Sequence, residues 1–152
     1  MATKREIEDF LAQKTLAIVG VSRSGKKFGN TILKDLTRLG YRLLPIHPEA
    51  ATVGDVPAFP SFSALPEPVG GVIIVVPPAR AEDVVRDAAA HGIRRVWLQQ
   101  GAESAKAIAF CREQGMSVVH GQCVLMYPKP TTSWFHSAHR WIWEVIGLTP
   151  KD

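Results

Sequence analysis

The sequence predicts an α/β fold: a Rossmann-like, doubly wound parallel sheet in a three-layer α/β/α arrangement. Short apolar runs typical of strands alternate along the chain with amphipathic segments typical of helices. Two of these runs, 16–19 and 71–76, are apolar throughout, as in strands that are buried on both faces. A length of 152 residues indicates one domain with a sizeable core.

The first half of the chain gives two helices and two strands. Ranges 4–13 and 28–39 carry apolar residues three and four positions apart, which predicts amphipathic helices. Gly40 stands where a glycine commonly ends a helix. Strands are expected at 15–19 and 41–46, so the order is helix, strand, helix, strand.

The second half repeats the alternation after an irregular stretch. Residues 50–69 are rich in Pro and Gly, with a short strand expected near 56–59 and a helical turn near 61–65. The remaining elements are expected as alternating strands and helices at 71–76, 80–91, 95–98, 102–114 and 117–120. Ligands bind at the carboxyl ends of the strands in such sheets, so functional residues are sought there.

The C-terminal part differs in character, and we divide the chain into a domain at 1–126 and a helical extension at 127–152. In the extension, four apolar residues recur at the spacing of one face of a helix: Trp134, Ala138, Trp141 and Val145. This pattern predicts an aromatic helix. This helix either packs on the same domain or buries its aromatic surface against a second subunit, in a homodimer.

The stretch from Thr15 to Asn30 predicts a phosphate-binding loop. A strand is followed by Gly20, a polar and basic loop, and the start of a helix, an order that presents backbone N–H groups to an anion. Arg23, Lys26 and Lys27 lie in this short loop and would repel each other without an anion nearby.

The loop departs from two common nucleotide motifs. In the dinucleotide pattern G-x-G-x-x-G the second glycine is here Ser22, and His47-Pro48 stands where NAD enzymes place an acidic residue. A Walker loop is excluded because Lys26 is followed by Lys27 instead of Ser or Thr. A different anionic ligand is favoured. An NAD(P)-binding or nucleotide-sensing domain stays open, since Arg23 and Lys26 could accept a 2′-phosphate.

Three stretches together carry a resemblance to a known family: AIVGVSRSGKKFGNTILKDLTRLGYRLLPIHPEA, FSALPEPVGGVIIVVPP and VWLQQGAES. In their order and spacing they resemble the CoA-binding domain family. Its members are small stand-alone proteins similar to the nucleotide-binding domain of succinyl-CoA ligase alpha subunits and ADP-forming acyl-CoA synthetases. The resemblance covers about residues 12–126.

The resemblance implies that coenzyme A or an acyl-CoA binds at the strand ends. It implies that the pyrophosphate is held by Gly20, Val21, Ser22, Arg23 and Lys26. His47 and Pro48, where the family usually has Asn-Pro, would lie beside the adenosine. Val76, Pro77 and Pro78 would flank the adenine or the start of the pantetheine, and the segment from Gln99 to Gly101 would line the far side of the groove.

The predicted activity is binding of a small CoA ligand, without chemistry of its own. The sequence shows no recognisable set of catalytic nucleophile, base and acid. The chain is also too short to contain the phosphohistidine site and the ATP-grasp partner that the ligases need. Scattered basic residues argue against nucleic acid. No stretch approaches the roughly 20 apolar residues that span a bilayer. Two cysteines and no apolar leader favour the cytoplasm.

Two further hypotheses concern histidine and cysteine. Cys123 follows the last strand, where it is either a buried small side chain or a partner for the CoA thiol in a mixed disulfide. His120 and Cys123, with His136 and His139, form two pairs at spacings that zinc sites use, which makes a metal-binding protein an alternative.

Overall fold

A computed structural model of the chain describes residues 2–127. Within this range the chain forms a five-stranded sheet whose neighbouring strands are all parallel, together with a two-stranded hairpin. The predicted Rossmann-like α/β fold is therefore confirmed. The predicted helix of the C-terminal extension lies outside the described residues, and with it the proposed dimer contact.

The elements follow the predicted alternation of helices and strands. The helices are α1 (Lys4–Leu11), α2 (Phe28–Arg38), α3 (Pro78–Ala90) and α4 (Ala105–Glu113). The strands are β1 (Thr15–Val19), β2 (Arg42–Ile46), β3 (Thr52–Val53), β4 (Val56–Pro57), β5 (Gly71–Ile74), β6 (Arg95–Gln99) and β7 (Ser117–Gln122). The order in the large sheet is β2-β1-β5-β6-β7. The chain thus moves outward from β1 to β2 and then crosses to β5 on the other side of β1.

Helices cover both faces of the sheet. Because side chains alternate along a strand, Leu16 and Ile18 of β1 pack with α1 and α2, whereas Ala17 packs with α3 and α4. Trp97 lies in the first of these two cores and is fully buried. This arrangement gives the three layers that the sequence predicts.

Several element boundaries differ from prediction for local reasons. Helix α3 begins at Pro78, two residues early, because proline is well suited to the first turn of a helix. Helix α4 begins late, at Ala105, because the Ser104 hydroxyl accepts a hydrogen bond from the Ala107 N–H at 3.0 Å and caps it. Strand β5 ends at Ile74 instead of Val76, and β7 runs two residues further, to Gln122.

The segment after β2 covers the edge of that strand. The short strand predicted near 56–59 is present as β4, and it pairs with β3, for which the sequence gives no signal. The Phe59 N–H donates to the Pro45 carbonyl at 2.9 Å, and the His47 N–H donates to the Phe59 carbonyl at 2.8 Å. These bonds fix the backbone at the carboxyl end of β2. The predicted helical turn is also confirmed, as a 3₁₀ turn at Phe62–Ala64.

Candidate functional site

The residues predicted to bind CoA lie at or just after the carboxyl ends of β1, β2, β5 and β6, along one edge of the sheet. The order of the strands reverses between β1 and β5, and in open α/β sheets ligands bind in the crevice at such a point. The fold therefore brings the four predicted segments to the edge where binding is expected.

Gly20 is the contact point between the loops that follow β1 and β5. It adopts a φ of +109°, and a Cβ atom at this position would lie 2.0 Å from the Val75 carbonyl oxygen. Gly29, in the first turn of α2, is equally confined, because a Cβ there would lie 2.5 Å from the Gly20 carbonyl oxygen. Two glycines thus allow the start of α2 to pack directly on the end of β1.

The amide side chain of Asn30 fixes the loop between β1 and α2. Its Nδ2 donates to the Ser22 carbonyl and its Oδ1 accepts from the Ser22 N–H, both at 2.9 Å. Sequence reasoning missed Asn30, although an amide in the first turn of a helix that follows a glycine loop is a usable signal. The Ser22 N–H already donates to Asn30, so it is not available to a ligand in the predicted phosphate-binding loop.

In the part of the chain that the structure describes, the N-terminus of α2 leaves backbone N–H groups unpaired at the end of the loop that follows β1. Lys27 is the N-cap residue and makes no side-chain capping bond. Among residues 2–127, no hydrogen bond engages the backbone N–H groups of Phe28 and Gly29. The positive end of the helix dipole and these N–H groups favour an anion at this position.

Three exposed basic side chains surround the start of α2: Arg23, Lys26 and Lys27. Arg23 donates from Nη2 to the Glu49 Oε2 at 3.2 Å, so one positive charge of the loop has a partner. Within the described part of the chain, Lys26 and Lys27 form no ion pair. The loop thus keeps an excess of positive charge next to an uncapped helix.

His47 organises the turn that follows β2. Its Nδ1 accepts hydrogen bonds from the backbone N–H groups of Glu49 and Ala50, at 3.1 and 3.0 Å. An Asn side-chain oxygen makes the same kind of bond two residues ahead in an Asx turn. The ring nitrogen of His47 therefore serves here as the acceptor that holds the turn after β2.

This geometry predicts the effects of two substitutions at His47. We expect His47→Asn to leave the free energy of unfolding within about 0.5 kcal/mol, because an acceptor is retained. We expect His47→Leu to lower it by about 0.5–1.5 kcal/mol, because the N–H groups of Glu49 and Ala50 lose their acceptor within the protein. Urea unfolding followed by circular dichroism measures both, and equal stabilities of the two variants would contradict this role of Nδ1.

The segment after β5 contributes apolar surface from two of its three predicted residues. Val76 is buried in the core beneath α3, with 7% of its surface exposed, whereas Pro77 and Pro78 are exposed at the start of α3. The two prolines thus provide an apolar wall at the edge of the sheet, and Val76 supports it from below.

Gln99 and Gly101 occupy different environments. Gln99 is 2% exposed, and its Oε1 accepts from the Val124 N–H at 3.0 Å, so the side chain ties β6 to the chain after β7. Gly101 is exposed, has a φ of +96° and donates its N–H to the Glu103 carboxylate at 2.9 Å. Gln99 therefore positions this part of the edge, and Gly101 lies on its surface.

The environment of Cys123 does not suit thiol exchange. The side chain is 5% exposed, and burial raises the pKa of its thiol. Exchange needs an accessible thiolate, and this site disfavours both access and ionisation. The hypothesis of a mixed disulfide with the CoA thiol therefore finds no support in the structure.

The residues of the alternative metal site are divided by the range that the structure describes. His136 and His139 lie outside it. Among residues 2–127, no cluster of three or more His, Cys, Asp or Glu side chains is placed to hold a metal ion. Burial lowers the pKa of His120, the first residue of the predicted set.

Among residues 2–127, no helix is both long enough and apolar enough to cross a bilayer.

The chain is similar in sequence to two curated proteins, among others. The ADP-forming acetate–CoA ligase II of Archaeoglobus fulgidus is 29% identical over 91 residues, which are 59% of this chain and 14% of the ligase. This chain thus spans a small part of that relative. The uncharacterized protein YneT of Bacillus subtilis is 26% identical over 126 residues, covering 80% of this chain and 91% of YneT.

A solved structure and a family model extend this likeness. A conserved hypothetical protein from Pyrococcus furiosus superposes with a TM-score of 0.69 at 33% identity, covering 73% of this chain and 96% of that protein. The family model of the CoA binding domain matches residues 14–128, which include every strand and every residue predicted to bind CoA. The chain belongs to the CoA binding domain family.

Proposed function

We propose that this protein binds coenzyme A or an acyl-CoA at the carboxyl edge of its sheet and that binding is its whole biochemical activity. The observation that carries the proposal is the loop between β1 and α2. There an uncapped helix N-terminus and three exposed basic side chains, Arg23, Lys26 and Lys27, lie together. Membership of the CoA binding domain family supports the same ligand.

The charges and shape of the edge suit the parts of this ligand. CoA carries a pyrophosphate and a 3′-phosphate. We place its pyrophosphate at the loop from Gly20 to Arg23, with Lys26 beside it. The N–H groups that can reach it are those at the start of α2, because the Ser22 N–H is bound to Asn30. The side chain of Val21 is 5% exposed, so its contribution would come from the main chain. Charge-assisted hydrogen bonds contribute roughly 1.5–3 kcal/mol each.

The remaining residues are assigned to the other parts of the ligand. His47 and Pro48 would lie beside the adenosine, where His47 keeps the turn in place. Pro77 and Pro78 would contact the pantetheine or the adenine. Gly101 would line the far side of the groove.

Calorimetric titration of CoA into the purified protein tests the proposal. We expect measurable binding, and CoA at about one hundred times its dissociation constant is expected to stabilise the fold by about 2.7 kcal/mol. Parallel thermal unfolding with CoA, NADP and ATP separates the CoA proposal from the alternative of a nucleotide-sensing domain. Stabilisation by NADP or ATP but not by CoA would contradict the proposal.

Lys26 offers a prediction with a matched control. Lys26→Gln is expected to weaken CoA binding about tenfold or more, because one charge-assisted contact to a phosphate is lost. Arg38→Gln removes the same charge from the last turn of α2, at the far end of that helix, and is expected to leave affinity unchanged. Calorimetric titration of CoA into both variants measures the two affinities. An equal loss of affinity in both would indicate a general effect of net charge and contradict a phosphate contact by Lys26.

A further inference from the structure

The ion pair between Arg23 and Glu49 joins the two loops of the proposed site. Arg23 follows β1 and Glu49 follows β2, and the Arg23 Nη2 lies 3.2 Å from the Glu49 Oε2. The two side chains are 63% and 70% exposed, so a ligand in the groove can reach the pair. A negative side chain is thus placed against one of the three positive charges assigned to phosphate.

The backbone that carries Glu49 is fixed. The Glu49 N–H donates to the His47 Nδ1 at 3.1 Å, and the next residue, Ala50, makes a second bond to the same nitrogen. Ala50 is 8% exposed, which anchors the turn on the core. The position of Glu49 relative to Arg23 is therefore set by the fold as well as by the charges of the two side chains.

We propose that Glu49 is an affinity-determining residue that competes with the phosphate of the ligand for Arg23. The proposal rests on the CoA-binding function argued above. Before a phosphate can bind Arg23, it must displace the Glu49 carboxylate. The measured affinity is then lower than the intrinsic one by the fraction of molecules in which Arg23 is available. Exposed ion pairs are weak, so the effect is a modest one.

The test is a double-mutant cycle read by CoA titration at low ionic strength. Glu49→Gln is expected to tighten CoA binding about two- to five-fold. Arg23→Gln is expected to weaken it, and Glu49→Gln is expected to have no further effect in the Arg23→Gln background.

A matched control and three contrary results make the outcome unambiguous. Glu67→Gln removes the same charge from an ion pair with Arg42, 2.8 Å apart, at the amino end of β2, and is expected to leave affinity unchanged. Weaker binding by Glu49→Gln would make Glu49 a ligand contact and overturn the proposal. Equal tightening with and without Arg23 would show long-range repulsion and overturn it as well. Absence of CoA binding by the wild-type protein would overturn the proposed function itself, and this inference with it.

Discussion

Replacement of Gly20 by alanine is expected to destabilise the protein by roughly 2–6 kcal/mol and to abolish the CoA binding proposed for this edge. An added Cβ would lie 2.0 Å from the Val75 carbonyl oxygen and 2.6 Å from its carbon, far inside van der Waals contact. Both are main-chain atoms of the loop after β5, so no side-chain rotation relieves the clash. The φ of +109° adds strain for any residue with a side chain.

The relief of this clash would separate the loops that follow β1 and β5. These loops form the crevice at the reversal of strand order, and Gly20 also contacts the first turn of α2 through Gly29. A shift of Gly20 therefore moves the backbone that the proposal assigns to the pyrophosphate. Loss of stability and loss of CoA binding are expected together, because one contact determines both.

Gly25→Ala is the matched control for this substitution. Gly25 lies in the same loop with a φ of +74°, but a Cβ added there would meet no heavy atom within 4 Å beyond its own chain neighbours. Only the conformational penalty of about 1–2 kcal/mol is expected. Urea unfolding and CoA titration compare the two variants. If Gly20→Ala proved no more damaging than Gly25→Ala in both measurements, the close approach of the two loops would be refuted.

The features of the fold that depend on local patterns are predictable from the sequence. The apolar runs of β1 and β5 and the stripe of α2 are visible in a window of a few residues, and the alternation of strands and helices then gives a parallel sheet. The hairpin of β3 and β4 has strands of only two residues. Runs of that length show no measurable alternation, so their pairing escapes prediction.

The candidate site is predictable at the level of segments but not of individual contacts. The family resemblance implies that Gln99, at the end of a strand, lines the ligand groove. However, side chains alternate along β6, and Gln99 therefore shares a face with Trp97, which is fully buried. The pairing of Arg23 with Glu49 joins residues 26 positions apart. Contacts of this kind depend on the relative placement of two loops, which no local pattern reports.

Trp97→Ala is expected to lower the free energy of unfolding by about 3–5 kcal/mol. Trp97 has none of its surface exposed, and its ring and that of Phe10 from α1 pack in a T-shaped arrangement with centroids 5.4 Å apart. Its Nε1 donates to the Gln122 carbonyl at 3.1 Å, so the substitution also removes a buried hydrogen-bond donor. The variant leaves a cavity between the sheet and α1 and deprives a buried carbonyl of this donor.

Phe28→Ala is the matched control, since Phe28 is an aromatic residue that is 45% exposed at the start of α2. We expect a change of about 0.5 kcal/mol or less for it. Urea unfolding followed by circular dichroism measures both variants, and similar losses would contradict the core placement of Trp97. Because Trp97 packs beneath the edge and not on it, folded Trp97→Ala protein is expected to bind CoA with little change in affinity. Stability and binding are then separable at Trp97, whereas at Gly20 they are lost together.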